Sequence, residues 1–155
     1  MEWYLALKWL HVVSATVLFG TGLGTAFHFW LTCRGGNVVA IASAAHTTVV
    51  ADFLFTLPSA FVQPATGIAL ACMAGYPLDA PWISMAFVLY TVAGACWIPV
   101  VFIQLRLRTI AARHAVERTP LPAEFHILYR RWFVLGWPAF AAMAAVLWLM
   151  VGRPA

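Results

Sequence analysis

The sequence predicts an all-α membrane protein, an up-down bundle of four transmembrane helices with both termini periplasmic. Hydrophobic residues make up 64% of the 155 residues and charged residues only 9%, whereas soluble domains carry roughly 25% charged residues. The apolar residues form four runs long enough for spans, since about 20 such residues cross the hydrocarbon of a bilayer. We therefore expect a single transmembrane domain over residues 1–155, with the lipid bilayer as its surroundings.

The first two spans differ in how they meet the membrane. We predict the first over residues 3–32, followed by a break at 34–37. It should be retained rather than cleaved, because the N-terminus lacks the basic segment of a signal peptide. Residues 38–51 are helix-compatible and should form the foot of the second helix, projecting from the membrane or lying on its surface. Asp52 marks the entry into the bilayer, and the span itself covers 53–74.

The third and fourth spans are predicted at residues 82–105 and 132–151. The basic segment 106–131 joins them, and its start should continue the third helix for several turns into water. Prolines interrupt the spans at Pro58, Pro64, Pro99 and Pro138. A proline inside a membrane helix frees a backbone carbonyl, which a neighbouring side chain or water must satisfy.

Arginines set the predicted orientation. They lie in two of the three connections: Arg34 in the first, and Arg106, Arg108, Arg113, Arg118, Arg130 and Arg131 in the third. Only Lys8 and Arg153 lie on the other side. The positive-inside rule places connections 33–52 and 106–131 in the cytoplasm of a multi-pass protein of the bacterial inner membrane. Because the arginines serve topology, the net charge of +4 does not predict nucleic-acid binding.

Helix 1 carries a polar stripe, which predicts that this face points into the bundle. At about 100° per residue, six side chains fall within an arc of about 120°: His11, Ser14, Thr21, Thr25, His28 and Thr32. Gly20 and Gly24 form a small-xxx-small pair beside the stripe, where another backbone can come close. Gln63, between two prolines of helix 2, is the expected hydrogen-bonding bridge between helices.

His11 is the leading candidate ligand, near the outer third of the membrane. Neutral imidazole binds haem iron or a metal when its other nitrogen finds a partner. The alternative is a histidine hydrogen-bonded between helices. Lys8, one turn earlier, can meet a haem propionate or extend to the lipid headgroups. His28 lies about 25 Å away along the axis and cannot share the iron.

Methionines are the candidate second ligands at the depth of His11. Met73 ends helix 2 and Met85 begins helix 3, with Met150 and Cys72 at similar depth. A His/Met haem b, a five-coordinate haem and a His/Met/Cys copper site all stay open. The haem site would use His11, Lys8 and Met85, and the copper site His11, Met73 and Met85.

Asp52 at the membrane boundary predicts a charged partner. If adjacent helices are antiparallel, Arg130 or Arg131 of helix 4 lies opposite, so we expect a structural ion pair between Asp52 and Arg131. The alternative is a proton-relay or anion site that also uses His28 and His46.

Several motifs resemble a bacterial family of predicted four-helix integral membrane proteins of unknown function. They lie at residues 8–12, 18–24, 54–58, 63–67, 90–101, 104–108 and 132–140. The resemblance covers nearly the whole chain and implies a membrane bundle, but no activity.

A more distant resemblance concerns haem. Lys8, His11 and Phe19-Gly20 are similar to the first helix of HemJ-type protoporphyrinogen oxidases, and residues 129–133, Pro138 and Arg153-Pro154 are similar to the last. CopD-like copper-resistance proteins are similar in helix organisation. The HemJ resemblance implies that His11 is an axial haem ligand. However, residues 82–89 lack that family's lysine and Gly136-Trp137 replaces its acidic pair, which argues against the oxidase activity itself.

The leading hypothesis is therefore a haem-binding inner-membrane protein with a redox or electron-carrying role linked to quinone or tetrapyrrole. The alternative is a non-enzymatic membrane scaffold or complex subunit that packs, as a homo-oligomer or with other proteins, through the Gly20/Gly24 face. The third is copper binding or passage. No phosphate-cradling loop or nucleophile elbow is present in the sequence, so whether the protein is an enzyme stays open.

Overall fold

The computed structural model describes residues 2–152. Its helices are α1 (Glu2–Arg34), α2 (Val38–Ala51), a π-helical turn (Asp52–Thr56), α3 (Leu57–Met73), α4 (Pro81–Glu117) and α5 (Ala123–Gly152). Because α2, the π turn and α3 follow one another without a break, the chain forms four long rods. Each rod is long and apolar enough to cross a membrane, so the predicted all-α four-helix bundle is confirmed.

The helices outrun the predicted spans on one side of the bundle. Residues 38–51 are helical and continuous with the second span. The third helix ends at Glu117, where Arg118 adopts a left-handed conformation with φ 53°, and α5 begins directly after Pro122. The predicted span boundaries at 105 and 132 were placed where the apolar residues stop, which is at the membrane surface. The helices themselves continue past the membrane surface, because backbone hydrogen bonding does not depend on hydropathy. They end where the left-handed residue and the prolines interrupt that bonding.

The connections are short and close with local hydrogen bonds. Gly36 sits between α1 and α2 with φ 70°, and Gly75 follows α3 with φ 73°, a conformation that costs glycine little. Asn37 caps α2, since its side chain accepts a hydrogen bond from the Ala40 N–H at 3.1 Å. These turns reverse the chain and make sequential rods antiparallel.

The half of the bundle that holds Arg34, Val38, Glu117 and Ala123, here called the basic half, contains a packed core. There α2 lies against both α1 and α4, and α4 lies against α5. The core comprises Phe29, Ile41, Ala44, Ala45, Val100, Leu107, Ile110, Ala111, Phe125 and Trp132. The ring of Phe29 meets Trp132 edge to face, with centroids 5.2 Å apart. The short foot helix α2 thus joins α1 to α4 at this end, and α5 packs on α4.

In the opposite half, here called the terminal half, the rods separate into two pairs. α1 packs on α3 and α4 on α5, while α1 meets α5 at only a few positions. The pairs touch where the rings of Phe19 and Phe140 stack with centroids 4.8 Å apart. They are also joined where the Tyr90 hydroxyl donates to the Ala60 carbonyl at 2.7 Å. Beyond these contacts the pairs enclose a cavity, here called the terminal cavity.

The Ala60 carbonyl is available because Pro64, four residues later, has no N–H to donate to it. Tyr90→Phe leaves that carbonyl unpaired, and we expect a loss of about 1–3 kcal/mol in the free energy of unfolding in detergent. Pro64→Ala restores a helical donor, so Tyr90→Phe should cost clearly less in the Pro64→Ala background. An equal cost in both backgrounds would show that the hydrogen bond does not hold the pairs together.

Candidate functional site

The terminal cavity has a volume of about 590 Å³, within the range of roughly 300–1,000 Å³ that is usual for small-molecule sites. Residues of α1, α3, α4 and α5 line it, as do three residues of the turn between α3 and α4. The walls are mostly apolar and include the aromatic residues Tyr4, Phe19, Tyr76, Trp82, Phe87 and Tyr90. Such a space suits a ligand with a large apolar ring system.

His11 and Gln63 are two of the polar side chains in the wall. Nδ1 of His11 lies 2.8 Å from the Thr66 hydroxyl, and Nε2 lies 3.2 Å from the Gln63 amide nitrogen. An amide nitrogen only donates, so Nε2 accepts and the ring carries its proton on Nδ1. Both nitrogens of the neutral imidazole are therefore bonded to α3.

The hydrogen bonds continue beyond the imidazole. The Thr66 hydroxyl donates in turn to the Val62 carbonyl at 2.7 Å. At the other end, the Gln63 amide oxygen accepts from the Ser14 hydroxyl at 2.5 Å. Gln63 is 7% exposed and Ser14 5%, so the Gln63 amide oxygen depends on Ser14 for a partner. The Ser14 hydroxyl also lies 3.0 Å from the His11 carbonyl oxygen. One network thus joins α1 to α3 and fixes the imidazole.

The backbone of α3 also makes room for the ring. A Cβ atom added to Gly67 would lie 3.2 Å from Cε1 of His11, which is closer than ordinary van der Waals contact. Gly67 stands one residue after Thr66, so glycine at this position lets the ring settle against α3. The spacing of Gln63, Thr66 and Gly67 puts all three on one helix face.

Only part of the polar stripe on α1 serves contacts between helices. Ser14 and His11 reach α3, whereas Thr25 and Thr32 donate to carbonyls of α1 itself, at 2.8 Å each. His28 is exposed. A threonine hydroxyl in a helix can donate to a carbonyl of the preceding turn. The polar stripe therefore predicted more contacts between helices than the structure contains.

The predicted ligands are only partly brought together. Lys8 lines the terminal cavity with His11. Met73 and Met85 are more than half exposed and do not line it, so the predicted sets built on them are not gathered around His11. Met85 does not line the cavity because residue 85 lies off the cavity face of α4. That face is formed by residues 82, 83, 86, 87 and 90. Met150 of α5 does line the cavity.

Gly20 and Gly24 have different surroundings. Both are exposed, and a Cβ atom added to either meets no atom within 4 Å. Gly20 lines the terminal cavity and Gly24 does not. Within residues 2–152, no helix uses this pair for close approach, because α1 and α5 diverge in the terminal half.

The predicted ion pair between Asp52 and Arg131 is not present. Asp52, 4% exposed, accepts a hydrogen bond from Thr56 at 2.9 Å and lies against the Gln104 amide. Asp52 directly follows α2, which packs against α1 and α4 rather than α5. Its carboxylate therefore meets Gln104 of α4, and Arg131 is left exposed. Within the described chain, the ion pair that forms joins Arg106 to Glu124 at 2.9 Å.

The sequence did not identify Thr66 or Gly67 as partners of His11, nor Tyr90 as a partner of α3. The spacing of residues 63, 66 and 67 next to Pro64 is the signal that could have suggested a polar face on α3. Tyr90 gave no signal, because its partner is a backbone carbonyl on another helix.

A family described as predicted integral membrane protein (DUF2269) matches residues 5–154. No curated protein and no solved structure matches the chain. The resemblance to HemJ-type and CopD-like proteins therefore stays a prediction, and Arg153-Pro154 lie outside the described residues.

Ser14→Ala removes the hydroxyl that satisfies the Gln63 amide oxygen in the interior. We expect the free energy of unfolding in detergent to fall by about 1–3 kcal/mol. Thr16→Ala is the matched control, because Thr16 is exposed and its hydroxyl donates to its own helix at Val12. Its cost should stay within about 0.5 kcal/mol. Equal costs for the two variants would mean that the network does not stabilise the α1–α3 pair.

Proposed function

The chain belongs to the DUF2269 family of predicted integral membrane proteins, and we propose that it binds haem b in the terminal cavity with His11 as axial ligand. Haem bound there would supply reversible one-electron chemistry within the membrane. The proposed role is electron transfer linked to a quinone or a tetrapyrrole. The proposed setting is the bacterial inner membrane, with both termini and the terminal cavity on the periplasmic side.

The observation that carries this proposal is the way His11 is held beside the cavity. A histidine that ligates a metal usually donates its other ring N–H to a fixed partner, which sets its tautomer and orientation. The His11 Nδ1–H donates to the Thr66 hydroxyl at 2.8 Å. Nε2, the remaining nitrogen, is held only by the amide of Gln63, which itself lines the cavity. A rotation of that flexible side chain would free Nε2 for iron.

The cavity walls support the same ligand. Aromatic and aliphatic side chains from four helices would cover the faces of a macrocycle and exclude water. Lys8 stands one helical turn from His11 and lines the same cavity, so its ammonium group would meet a propionate. Of the methionines considered as second ligand, only Met150 lines the cavity, and a five-coordinate haem would need none.

Two other functions have less support. Copper binding would need His11, Met73 and Met85, but the two methionines face away from the cavity. A scaffold role through Gly20 and Gly24 is compatible with the open space over both residues. It predicts a stable homo-oligomer or complex in mild detergent, and does not account for the cavity beside His11.

A reduced-minus-oxidised visible spectrum of protein purified from haem-replete cells tests the proposal. We expect a b-type spectrum in the wild type and its loss in His11→Ala. His28→Ala is the matched control, because His28 is exposed in the basic half of the same helix, and its spectrum should be unchanged. A wild type without haem would refute the proposal, and oligomer analysis in mild detergent would then test the scaffold role.

Thr66→Val keeps the shape of the side chain and removes the partner of His11 Nδ1. We expect haem to bind about 10–100-fold more weakly, since loss of such an orienting partner typically has that effect. The measurement is a haem titration of the purified protein. Thr91→Val is the control, because Thr91 is exposed, its hydroxyl donates to its own helix and it does not line the cavity. If Thr66→Val and wild type titrate identically, the Thr66 hydroxyl has no part in orienting the ligand.

A further inference from the structure

One opening of the terminal cavity lies along α1; the cavity lining is also exposed at Ile68 of α3 and Phe87 of α4. Val12, Thr16 and Gly20 of α1 line the cavity and are all exposed, with Val12 54% exposed. Residues that both line a cavity and are exposed stand at its opening. In a helix that spans a membrane, this opening faces lipid rather than water.

The opening has the form of a slot along α1. Its members recur every four residues, so they form one row nearly parallel to the helix axis. From Lys8 to Gly20 the row is about 18 Å long, at about 1.5 Å per residue. One leaflet of hydrocarbon is about 15 Å deep. A slot of this length and direction matches an extended lipid chain.

The chemistry of the slot is apolar along most of its length. Between Val12 and Gly20 the slot has one hydroxyl, that of Thr16, which donates to the Val12 carbonyl at 2.9 Å. At the inner end, a Cβ atom on Gly20 would meet nothing within 4 Å, so the absent side chain leaves space. The stacked rings of Phe19 and Phe140 close the far end. The polar groups stand at the other end, at Lys8, His11 and Gln63.

We propose that this slot, formed by Val12, Thr16 and Gly20, admits a membrane-dissolved quinone with a long hydrocarbon chain. The chain lies along α1 towards Gly20, and the ring carbonyls face Lys8 at the exposed edge of the cavity, beside the space that haem would fill. The ligand enters sideways from the bilayer. The assignment of this molecule as the electron partner rests on the proposed haem function, whereas the lateral entry itself does not.

Photolabelling tests the slot. Protein purified from haem-deficient cells is reconstituted in phosphatidylcholine vesicles with an isoprenoid quinone that carries a diazirine on its chain, and labelled residues are mapped by mass spectrometry. Val146 and Ile83 are each 5% exposed and line the cavity, so labels there require entry. We expect labelling of both in the wild type. Labels confined to lipid-exposed residues would overturn the proposal.

Gly20→Trp fills the slot and should lower labelling of Val146 and Ile83 at least fivefold. Gly24→Trp is the matched control, one turn further along α1, equally exposed and outside the cavity lining. It should label like the wild type. Equal labelling in the two variants, each with wild-type circular dichroism, would refute the slot as the route.

A second probe, phosphatidylcholine with a diazirine on its acyl chain, tests the choice of ligand. We expect it to label Val146 and Ile83 less than the quinone probe does at equal membrane concentration. Equal labelling by both probes would overturn the quinone assignment. Because no haem signal is used, interior labelling of a wild type that shows no haem spectrum when purified from haem-replete cells would remove the electron-transfer role and keep the route. A haem spectrum without interior labelling would do the reverse.

Discussion

A backbone carbonyl inside a membrane must find a donor within the protein, and Pro64 creates one such carbonyl at Ala60. The hydroxyl of Tyr90 supplies the donor across the bundle. This bond joins the α1–α3 pair to the α4–α5 pair where the two begin to diverge. With the Phe19–Phe140 stack, it marks the inner limit of the terminal cavity. The shape of the candidate site therefore follows from one missing N–H.

Two buried polar clusters determine which other helices contact one another. In lipid, apolar side chains gain little by leaving the solvent for one another, so packing and hydrogen bonds decide which helices meet. The Ser14–Gln63–His11–Thr66 network joins α1 to α3. Asp52 is buried in the π turn against Thr56 of the same turn and Gln104 of α4. One cluster lies in each half of the bundle.

The network around His11 serves structure and proposed chemistry through the same atoms. The bond from Nδ1 to Thr66 orients the ring whether or not Nε2 has a ligand. The bond from Gln63 to Nε2 is the one that a bound iron would replace. Gln63 would still have Ser14 as a partner for its amide oxygen, and its amide nitrogen would need a new acceptor. The ligand must therefore offset one lost hydrogen bond, a modest cost of about 1 kcal/mol.

The sequence by itself determined the four apolar rods and the interior position of two polar groups. A bilayer demands long apolar spans and satisfied polar groups, and both demands act on each segment separately. The positions of Ser14 and Gln63 could be predicted for this reason. Pro64 likewise predicted a free backbone carbonyl, but the sequence did not show which residue donates to it.

The tertiary structure alone decided which helices are neighbours and how each is rotated. The sequence paired Asp52 with Arg131 on the assumption that the second and fourth rods meet, but α2 lies against α1 and α4, and Asp52 meets Gln104 of α4 instead. It placed Met73 and Met85 beside His11 by depth, and both face outward. Depth follows from position along one helix. The rotation of each helix and the choice of its neighbours depend on how side chains far apart in the sequence pack together. No local sequence pattern contains that information.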